Sequence, residues 1–506
     1  MKKMILFGMS CFVVQLLFSQ NVGIGTTTPA FKLDVRNGSI NTDSVYRITG
    51  NTVLSVKGLE NTFVGITAGN ATNSGSYNAA AGFGALASNT TGNYNAAFGY
   101  KALFSSTVTS NNTAFGTSAL LSNTFGTYNT AHGVNALYYN TTASYNTGVG
   151  SHALYLNVLG SNNTAVGESA LFSNSGHANT ALGTQSLYAN ANGHWNTAAG
   201  YSALQQNTTG SYNTALGYEA LFSNTTSFSN TATGIWSLYA NTTGSYNIAN
   251  GAAALNNNTT GWFNTGVGYD ALGHNETGNK NTAVGVQSLY NALGSDFNTA
   301  IGFKAGFGPS LGWNNTLIGA ETDATGSGFF NSIALGNIAT INGSSQTRIG
   351  NTFTVSTGGY TGWTNISDGR YKKNVKDNVK GLEFILALRP ITYQLNVTSL
   401  SQKLNESRGG EMSEQMKAAI AEKEKLILSG FLAQEVEQAA KAIGYDFSGV
   451  DRPANQTDIY GLRYAEFVVP LVKAIQEQQK MIEALQKANE EQKKRIEKLL
   501  NIAEKK

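Results

Sequence analysis

One unit of the dominant repeat reads YNTALGYEALFSNTT at residues 212–226, and comparable units fill residues 61–336. An Asn opens each unit, and successive opening Asn residues are 17 positions apart, except for one step of 16 between Asn163 and Asn179. The opening residues are Asn61, Asn78, Asn95, Asn112, Asn129, Asn146, Asn163, Asn179, Asn196, Asn213, Asn230, Asn247, Asn264, Asn281, Asn298 and Asn315. Because one unit is too short to enclose a core or to form two packed helices, the units must stack on one another.

The residue types of the unit indicate short strands joined by corners. Thr, Tyr, Phe and Val favour strands, whereas Asn, Gly and Ser favour the corners between them. Stacking would bury the Ala, Leu and aromatic positions, and a recurrent Asn could form a ladder of amide hydrogen bonds along the stack. The pattern therefore predicts a mainly β fold, a β-solenoid or β-roll, over residues 61–345.

Two recurrent features of the repeat have a second interpretation. The triplet Asn-Thr-Thr is an N-glycosylation sequon, although its recurrence with the repeat gives it a structural explanation. The aromatic residues before the opening Asn are regular enough for core or interchain packing, or for a row that binds sugars. These residues are Tyr77, Tyr94, Tyr128, Tyr145, Trp195, Tyr212, Tyr246 and Phe263.

The N-terminus has the features of a secretory signal. The basic start MKK precedes an apolar run over residues 4–18, and the small Ser19 follows where a signal peptidase can cut. We therefore expect residues 1–19 to be removed and the mature protein to be secreted or displayed on a bacterial cell surface. Cys11 is the only cysteine. A lipoprotein anchor at Cys11 is the alternative, and removal of the signal would leave no thiol for a disulfide.

Charge and composition argue against several kinds of ligand. A net charge of +3 without a basic stripe disfavours nucleic acid as a partner, and no later run reaches the roughly 18 apolar residues of a membrane helix. The Gly pairs at 23–25 and 306–308 lack the strand-to-helix context of a phosphate loop. The five histidines have no spacing suited to a metal, and they are His132, His152, His177, His194 and His274. We expect no metal, no cofactor and no membrane insertion of the mature chain.

Composition changes abruptly near residue 367. The chain has 63 charged residues (33 Lys and Arg plus 30 Asp and Glu), of which 43 lie in residues 368–506 and only ten in residues 61–340. The later part should hold a short helix that stops before Pro390, a following strand, and a strand that runs into a helix at residues 430–436. We expect a small α+β domain there, with an exposed insertion over residues 398–425.

The last segment carries apolar residues at heptad spacing. Its seam consists of Val468, Leu471, Ile475, Ile482, Leu485, Ile496 and Leu499, with Gln478, Asn489 and Gln492 at the remaining core positions. Alternating steps of three and four residues place these side chains on one face of a helix, and Ile at the first core position with polar residues between is compatible with three strands. We predict a parallel trimeric coiled coil, with a lone solvated helix as the alternative.

The candidate chemistry follows by elimination. No His or Cys occurs after residue 366, which excludes a Ser-His triad or a thiol nucleophile in that part of the chain, while Ser or Thr with Lys remains. Ser367 and Lys372 converge only if the chain turns between them, and Gly369 permits a turn. A Lys base also needs a pKa two or three units below about 10.4, through burial or a nearby cation. A solvated basic turn is the competing interpretation.

Three segments together resemble a known family. They are SDGRYKKNV at residues 367–375, GFLAQEV at residues 430–436, and the heptad segment. Their combination resembles the intramolecular chaperone auto-processing domain of endosialidase-type phage tailspikes and tail fibres. The resemblance implies a domain that trimerises, guides folding of the upstream β fibre, and then cuts itself off before the motif Ser.

The resemblance also implies roles for individual residues. Ser367 would be the nucleophile and Lys372 the base, with cleavage between Ile366 and Ser367. Some phage members have His where this chain has Gln434. Three residues are candidates for supporting roles, namely Asp368, Arg370 and Gln434.

Two shorter segments extend the resemblance to the rest of the chain. NSIALG at residues 331–336 resembles the head repeats of trimeric adhesins, and NVGIGTTTP at residues 21–29 resembles the start of tail-fibre-like surface proteins. Nearly identical units can pair out of register by one whole unit, so three such chains need a distinctive clamp to align them. Both arguments favour a homotrimeric fibre.

The expected organisation and function can now be stated. In order, we expect a signal peptide (1–19), an N-terminal segment (20–60), the repeat shaft (61–345), a connector (346–366), an intramolecular chaperone auto-processing domain (367–464) and a coiled coil (465–502). The leading hypothesis is a tail-fibre-like or adhesin-like homotrimer whose C-terminal domain is a chaperone and a Ser-Lys endopeptidase that acts only on its own chain. The alternative is a structural adhesin whose C-terminal domain trimerises without cutting. In either case a cell-surface glycan or protein receptor is an expected partner, whereas a glycan-degrading enzyme is disfavoured because the few carboxylates of the shaft show no recurrent pairing.

Overall fold

Each repeat contributes one three-residue strand, usually Thr-Ala followed by an apolar residue, in the computed structural model of the chain. The structure describes residues 22–24, 33–35, 45–57, 59–69, 74–360, 362–406, 412–456 and 458–504. The expected signal peptide, with Cys11, lies outside the described residues. The chain divides into two compact units between Thr142 and Ala143, and each unit is described by itself.

The first unit begins with two small pairings and continues as a parallel stack. Its strands are β1 (Val22–Ile24), β2 (Leu33–Val35), β3 (Val45–Ile48), β4 (Asn51–Ser55), β5 (Thr62–Val64), β6 (Ala79–Ala81), β7 (Ala96–Phe98), β8 (Thr113–Phe115) and β9 (Thr130–His132). β1 pairs in parallel with β2, and β3 forms an antiparallel hairpin with β4. β4 also pairs with β5, from which the parallel stack runs to β9.

The second unit contains the longer parallel stack. Its stacked repeat strands are β10 (Thr147–Val149), β11 (Thr164–Val166), β12 (Thr180–Leu182), β13 (Thr197–Ala199), β14 (Thr214–Leu216), β15 (Thr231–Thr233), β16 (Ile248–Asn250), β17 (Thr265–Val267), β18 (Thr282–Val284), β19 (Thr299–Ile301), β20 (Thr316–Ile318), β22 (Ile333–Leu335) and β24 (Thr347–Ile349). Two further strands, β21 (Asp323–Ala324) and β23 (Thr340–Ile341), form a separate parallel pair. Equivalent residues face each other, as Ala215 faces Ala232. β24 adds a last rung within the segment expected to be the connector.

The core of each rung is built from small and aliphatic side chains. In the rung that opens at Asn213, the side chains of Ala215, Ala220 and Leu221 are completely buried, and their counterparts in neighbouring rungs are buried too. The two residues that flank the central Ala of a strand point to the opposite face, as the two-residue period of a strand requires. The predicted β-solenoid of 17-residue units is confirmed.

Two ladders of buried Asn side chains accompany the strands. In the first, the amide oxygen of each opening Asn accepts the backbone N–H of the next, with 3.0 Å from Asn230 N to Asn213 Oδ1. In the second, built from the Asn of the Asn-Thr-Thr corner, Asn258 Nδ2 donates to Asn241 Oδ1 at 2.9 Å. The ladder interpretation is therefore correct. The sequon interpretation is wrong for the folded shaft, because the corner Asn residues are completely buried.

The aromatic residues before the opening Asn are not part of the core. Tyr94 and Tyr212 are more than half exposed, and rings in successive rungs stack on the surface, with centroids 5.0 Å apart for Trp195 and Tyr212. The prediction that stacking buries these aromatics is thus wrong. The physical reason is local, because the residue lies at a corner in the left-handed region, with φ of 61° at Tyr212, and its side chain points outward.

One corner residue must be Gly. Gly217 has a φ of 142°, and a Cβ at this position would lie 2.5 Å from the carbonyl oxygen of Gly234 in the next rung. Side chains rarely adopt this backbone conformation. The close approach of successive rungs therefore depends on the absence of a side chain.

The single 16-residue step is absorbed in one corner. Thr164 pairs with Thr180 in the normal register, and the corner ladder continues, with 2.8 Å from Asn174 Nδ2 to Asn157 Oδ1. The missing residue lies after this Asn, because Asn174 Nδ2 donates to the carbonyl of Gly176, two residues ahead. In the preceding rung the equivalent bond spans three residues, from Asn157 to Gly160.

A small α+β domain follows in the second unit. Its elements are a 3-10 helix (Gly369–Tyr371), α1 (Leu382–Ala387), β25 (Ile391–Tyr393), α2 (Val397–Lys403), α3 (Glu414–Glu424), β26 (Leu428–Gly430), α4 (Ala433–Ala442), β27 (Val450–Asp451), β28 (Gly461–Leu462), a second 3-10 helix (Tyr464–Phe467) and α5 (Val468–Ala503). β25 pairs antiparallel with β26, and β27 with β28. The domain has its own core, made of Phe384, Val436, Ala440, Phe447 and Phe467.

The 36-residue helix α5 leaves its apolar seam uncovered in a single chain. Ile475 and Leu485 are each 64% exposed, and every other apolar residue of the seam is exposed as well. Only the first turns of α5 are covered, where Pro470 and Ala474 are buried. A helix of this length spans about 54 Å, so the seam is a long unpaired apolar stripe.

Candidate functional site

The segment that carries the predicted reactive pair contains a short 3-10 helix over Gly369–Tyr371. Asp368 caps this helix, since its carboxylate accepts the backbone N–H of Arg370 at 2.9 Å. At the other end the backbone N–H of Lys372 donates to the carbonyl of Gly369 at 3.1 Å. The expected turn is present, although a Cβ at Gly369 would meet no atom within 4 Å. Space around this residue therefore does not require Gly.

The turn brings the predicted nucleophile and base together. Lys372 Nζ donates to Ser367 Oγ at 2.8 Å, so the two side chains are in direct hydrogen-bond contact across five residues. Nucleophile and base within 2.6 to 3.2 Å is the spacing expected of an activated hydroxyl. The geometry suits transfer of the hydroxyl proton to a neutral amine.

Asp368 and Arg370 form a separate ion pair beside this contact. Arg370 Nε and Nη2 lie 3.0 and 2.6 Å from Asp368 Oδ2. The hydrogen bonds from Arg370 lower the pKa of the Asp368 carboxyl, with the side-chain bond the largest cause. The charge of Arg370 is therefore directed at Asp368, and the pair stabilises the turn.

Burial of the pair is missing in the single chain. Ser367 and Lys372 are both exposed, and Ile366 on the other side of the candidate cleavage bond is 93% exposed. The exposed bond is open to attack. The low-dielectric surroundings that a Lys base needs must come from elsewhere.

Gln434 lies in the first turn of α4. Within the part of the chain that the structure describes, no hydrogen bond joins Gln434 to Ser367 or Lys372. Its neighbour Glu435 forms an ion pair with Arg389, with 3.1 Å between Arg389 Nε and Glu435 Oε2. The structure therefore groups Ser367 with Lys372 and Asp368 with Arg370, and leaves Gln434 apart from both pairs.

The segment after the turn is tied to helix α5. Leu382 N donates to the Glu477 carboxylate at 2.7 Å, and Lys473 Nζ lies 3.5 Å from Asp377 Oδ1. Gly381 packs so closely on α5 that a Cβ there would lie 2.7 Å from the backbone nitrogen of Ala474. The reactive turn is thus connected, through a few residues, to the start of the exposed seam.

A family comparison bears directly on this segment. Residues 367–445 match the family model described as Chaperone of endosialidase. The match begins at Ser367 itself and contains the turn, α1 to α4 and the pair β25–β26. The chaperone domain expected from the sequence is thereby confirmed, and a chaperone domain after a β-solenoid shaft fits a tail-fibre-like protein. No curated protein matches the chain.

Two kinds of feature are absent from the residues that the structure describes. None of the helices in this part of the chain is long and apolar enough to cross a membrane. The same residues contain no group of three or more His, Cys, Asp or Glu side chains that could hold a metal ion.

One buried polar residue of the chaperone domain has no signal in the sequence. Glu406 lies just after α2, in the region expected to be an exposed insertion, yet it is only 2% exposed. Ser401 and Ile420 of the same region are also buried, so the expectation of an exposed insertion is wrong for these residues. The partner of Glu406 is 54 residues away in sequence, and no local pattern could have revealed it.

Proposed function

We propose that this protein is a secreted or surface-exposed homotrimeric fibre, tail-fibre-like or adhesin-like. Its C-terminal domain aligns three chains as an intramolecular chaperone and then cuts each chain before Ser367. The observation that carries the proposal is the 2.8 Å contact between Lys372 Nζ and Ser367 Oγ, located at the first residues of a segment that matches a chaperone family with peptidase character.

The proposed reaction uses only groups of this chain and water. The neutral Lys372 amine takes the proton of Ser367 Oγ, and the oxygen attacks the carbonyl carbon of Ile366. The bond from that carbon to the Ser367 nitrogen breaks, the nitrogen takes up a proton, and an ester to Ser367 Oγ remains. Water then hydrolyses the ester, which leaves a carboxylate on Ile366 and a free amine and hydroxyl on Ser367.

Assembly supplies what one chain lacks. The exposed seam of α5 has the spacing of a coiled coil, and polar residues among apolar core positions favour a defined number of strands. Because Asp377 and Leu382, a few residues after the turn, are bonded to α5, bringing three helices together would also bring three reactive turns closer together. Burial in that interface would lower the pKa of a Lys amine, so cleavage would follow assembly.

A gel of the self-cleaved protein tests the proposal. Residues 20–506 are expressed and analysed under denaturing conditions, and the wild type should yield a C-terminal fragment of 140 residues beginning at Ser367. Ser367→Ala and Lys372→Ala should each remain full length. Lys373→Ala is the matched control, because it removes the adjacent exposed Lys and should still cleave.

The outcome that contradicts cleavage is equally clear. A wild-type chain that is trimeric by light scattering but stays intact would exclude self-cleavage and support the alternative, a structural adhesin. The exposure of both Ser367 and Lys372 in one chain is the observation that favours this alternative. N-terminal sequencing of any fragment distinguishes cleavage before Ser367 from adventitious proteolysis in the exposed connector.

A receptor on a cell surface, either a glycan or a protein, is the remaining proposed partner. The exposed rows of stacked aromatic rings support contact with such a ligand, because aromatic side chains supply large amphipathic contact surfaces. Binding of the cleaved fibre to a glycan array, compared with a variant carrying Trp195→Ser and Tyr212→Ser, tests a sugar ligand. Unchanged binding by the variant would exclude this row.

A further inference from the structure

The chaperone domain touches the chain upstream of the candidate cut at a second place. The contact is made by an arm, which we define as α2, residues 404–406 and α3. The arm lies after the cut in sequence, whereas the residues it contacts lie before the cut, in the connector. The proposed cleavage would therefore leave this contact intact.

A buried carboxylate forms the centre of the contact. Glu406 Oε1 accepts the backbone N–H of Thr352 at 3.0 Å, and Glu406 Oε2 accepts the hydroxyl of the same residue. Glu406 is 2% and Thr352 7% exposed. Hydrogen bonds to an ionised group are about twice as strong as neutral ones, and a buried charge that loses its partners is costly.

Lys423 adds a second bond from the other helix of the arm. Its Nζ donates to the carbonyl of Thr354 at 2.5 Å. Burial lowers the pKa of Lys423, and attraction to Glu406 opposes that effect. An acidic side chain from the residues after α2 and a basic side chain from α3 therefore both bond the segment 352–354.

A third bond comes from outside the arm. Asn455 Nδ2 donates to the carbonyl of Asn342 at 3.2 Å, and Asn342 is buried in the last turns of the shaft. Leu404 also lines two cavities whose other walls include shaft residues such as Thr340. The contact thus extends from the connector to the last turns of the shaft.

The covalent link across the cut contributes nothing comparable. Every described residue from Val355 to Ser367 is exposed, and Val355, Tyr360 and Trp363 are largely solvent accessible. The shaft end and the chaperone domain are therefore joined in two ways, covalently by the exposed segment 355–367 and noncovalently by a buried polar contact.

We propose that this contact is a noncovalent lock, centred on Glu406 and Thr352, which keeps the C-terminal fragment on the fibre end after the chain is cut. The inference rests on the proposed cleavage for its biological occasion, and the contact itself does not depend on cleavage. Three such contacts in a trimer act together, so the fragment leaves only when several open at once.

The test cuts the chain with an external protease, so it does not depend on self-cleavage. A recognition sequence for a site-specific protease is inserted within residues 356–360 of a full chain that carries Ser367→Ala. After digestion, a denaturing gel verifies that both fragments are present, and size-exclusion chromatography without denaturant reports whether they travel together. We expect co-elution for hours.

Two variants weaken the lock from opposite sides. Glu406→Gln combined with Lys423→Met removes both charges of the arm, and Thr352→Val removes the hydroxyl on the connector side. In each case we expect the C-terminal fragment to dissociate about ten times faster than in the parent chain, or faster still, because a charge-assisted hydrogen bond is lost. Glu414→Gln is the control, because Glu414 lies on the same arm in an exposed ion pair with Lys417 and should not change release.

Each outcome decides the inference. Separation of the fragments in the parent chain immediately after digestion would overturn it. Release from both lock variants at the rate of the parent would overturn the assignment of Glu406 and Thr352. Since Thr352→Val is a near-isosteric change, its circular dichroism and uncut elution profile can be matched to the parent even if the double variant folds poorly. Failure of the wild type to cleave itself would contradict only the earlier proposal.

Discussion

The recurrent residues of the shaft are buried within the chain, whereas the recurrent apolar residues of helix α5 are exposed. In the shaft, each Ala, Leu and Asn finds its partner one rung away in the same chain, as Ala215 faces Ala232 and Asn258 bonds Asn241. In α5, seam residues such as Ile475 have no cover from their own chain. The 17-residue period thus buries its apolar residues within one chain, whereas the heptad period of α5 leaves its apolar residues exposed.

The polar groups follow the same division. Most buried Asn amides of the shaft are hydrogen-bonded within the stack, as Asn258 is to Asn241, Gly261 and Asn275. The reactive turn instead leaves Ser367 and Lys372 in solvent. The comparison teaches that contacts within one chain account for the core of the shaft but leave the seam of α5 and the pair Ser367 and Lys372 uncovered.

The largest effect is expected from charged residues placed in the apolar seam of α5. Ile482→Asp with Leu485→Asp should abolish trimerisation, because each buried aliphatic side chain contributes about 2 kcal/mol and three copies lose it together. Sedimentation should show monomers, with the strand signal of the shaft retained. Ala484→Asp, on the solvent face of the same helix turn, should leave the trimer intact. A trimer that survives the seam variant would show that the shaft alone holds the assembly.

A side chain at the corner Gly should damage the shaft and spare the seam. Gly217→Ala places a Cβ 2.5 Å from the carbonyl oxygen of Gly234 at a φ of 142°, and we expect a loss of roughly 3 kcal/mol in local stability. Hydrogen exchange of the neighbouring rungs measures it. Gly294→Ala is the control, because its Cβ would meet only the Thr277 hydroxyl at 3.4 Å. Equal exchange in the two variants would contradict the clash.

Interruption of an Asn ladder should have an intermediate effect. Asn258→Ala removes the bonds to Asn241, Gly261 and Asn275 and leaves buried groups unpaired, so we expect a loss of about 2–3 kcal/mol. Thermal melting and local hydrogen exchange should both report it. The adjacent Asn257 is exposed, and Asn257→Ala should change neither. A neutral Asn258→Ala would mean that water replaces the ladder.

The smallest expected effect is a pH dependence at two stacked histidines. His177 N donates to His194 Nδ1 at 3.0 Å, and the rings stack with centroids 5.4 Å apart. Burial, and then repulsion from His177, lowers the pKa of His194 below 6.5. The unfolded chain therefore binds more protons than the folded chain at low pH. The contribution of His194 to the free energy of unfolding is complete above about pH 6.5 and is lost as the pH falls below that value.

A serine variant isolates that effect. Ser211 already accepts the equivalent backbone N–H one rung on, from His194 at 3.0 Å. His177→Ser with His194→Ser should keep the ladder of backbone bonds and remove part of the loss of melting temperature between pH 7.5 and pH 5. An identical pH response in wild type and variant would exclude a role for the histidines.

The sequence predicted the shaft well because its determinants are periodic. The 17-residue step is visible without any structure, and a stack is the only arrangement in which such a unit can bury Ala and Leu. The outward direction of Tyr94 and Tyr212 could not be predicted in the same way, because it depends on a left-handed corner. Tyr has no particular preference for that conformation.

The candidate site was predictable only in part. The pair Ser367 and Lys372 followed from elimination and from the resemblance, and the structure brings them into contact. The sequence predicts an exposed insertion where the structure has the arm. The hydrogen bond from Thr352 to Glu406 joins residues that are 54 positions apart, so no local pattern reveals it. In the proposed trimer, burial of Ser367 and Lys372 would depend on surfaces of other chains, and the heptad seam is the feature of the sequence that predicts such chains.

The corner after Asn174 is one residue shorter than the corresponding corners of the other repeats. Every other step between opening Asn residues is 17, so a chain shifted by one rung against its neighbours would match almost everywhere. At the rung of Asn174, however, the slipped chain would place the shorter corner, from Asn174 to Gly176, beside a corner of normal length, such as that from Asn157 to Gly160. In the proposed trimer, this one shorter corner would therefore distinguish chains in the correct register from chains that have slipped by one rung.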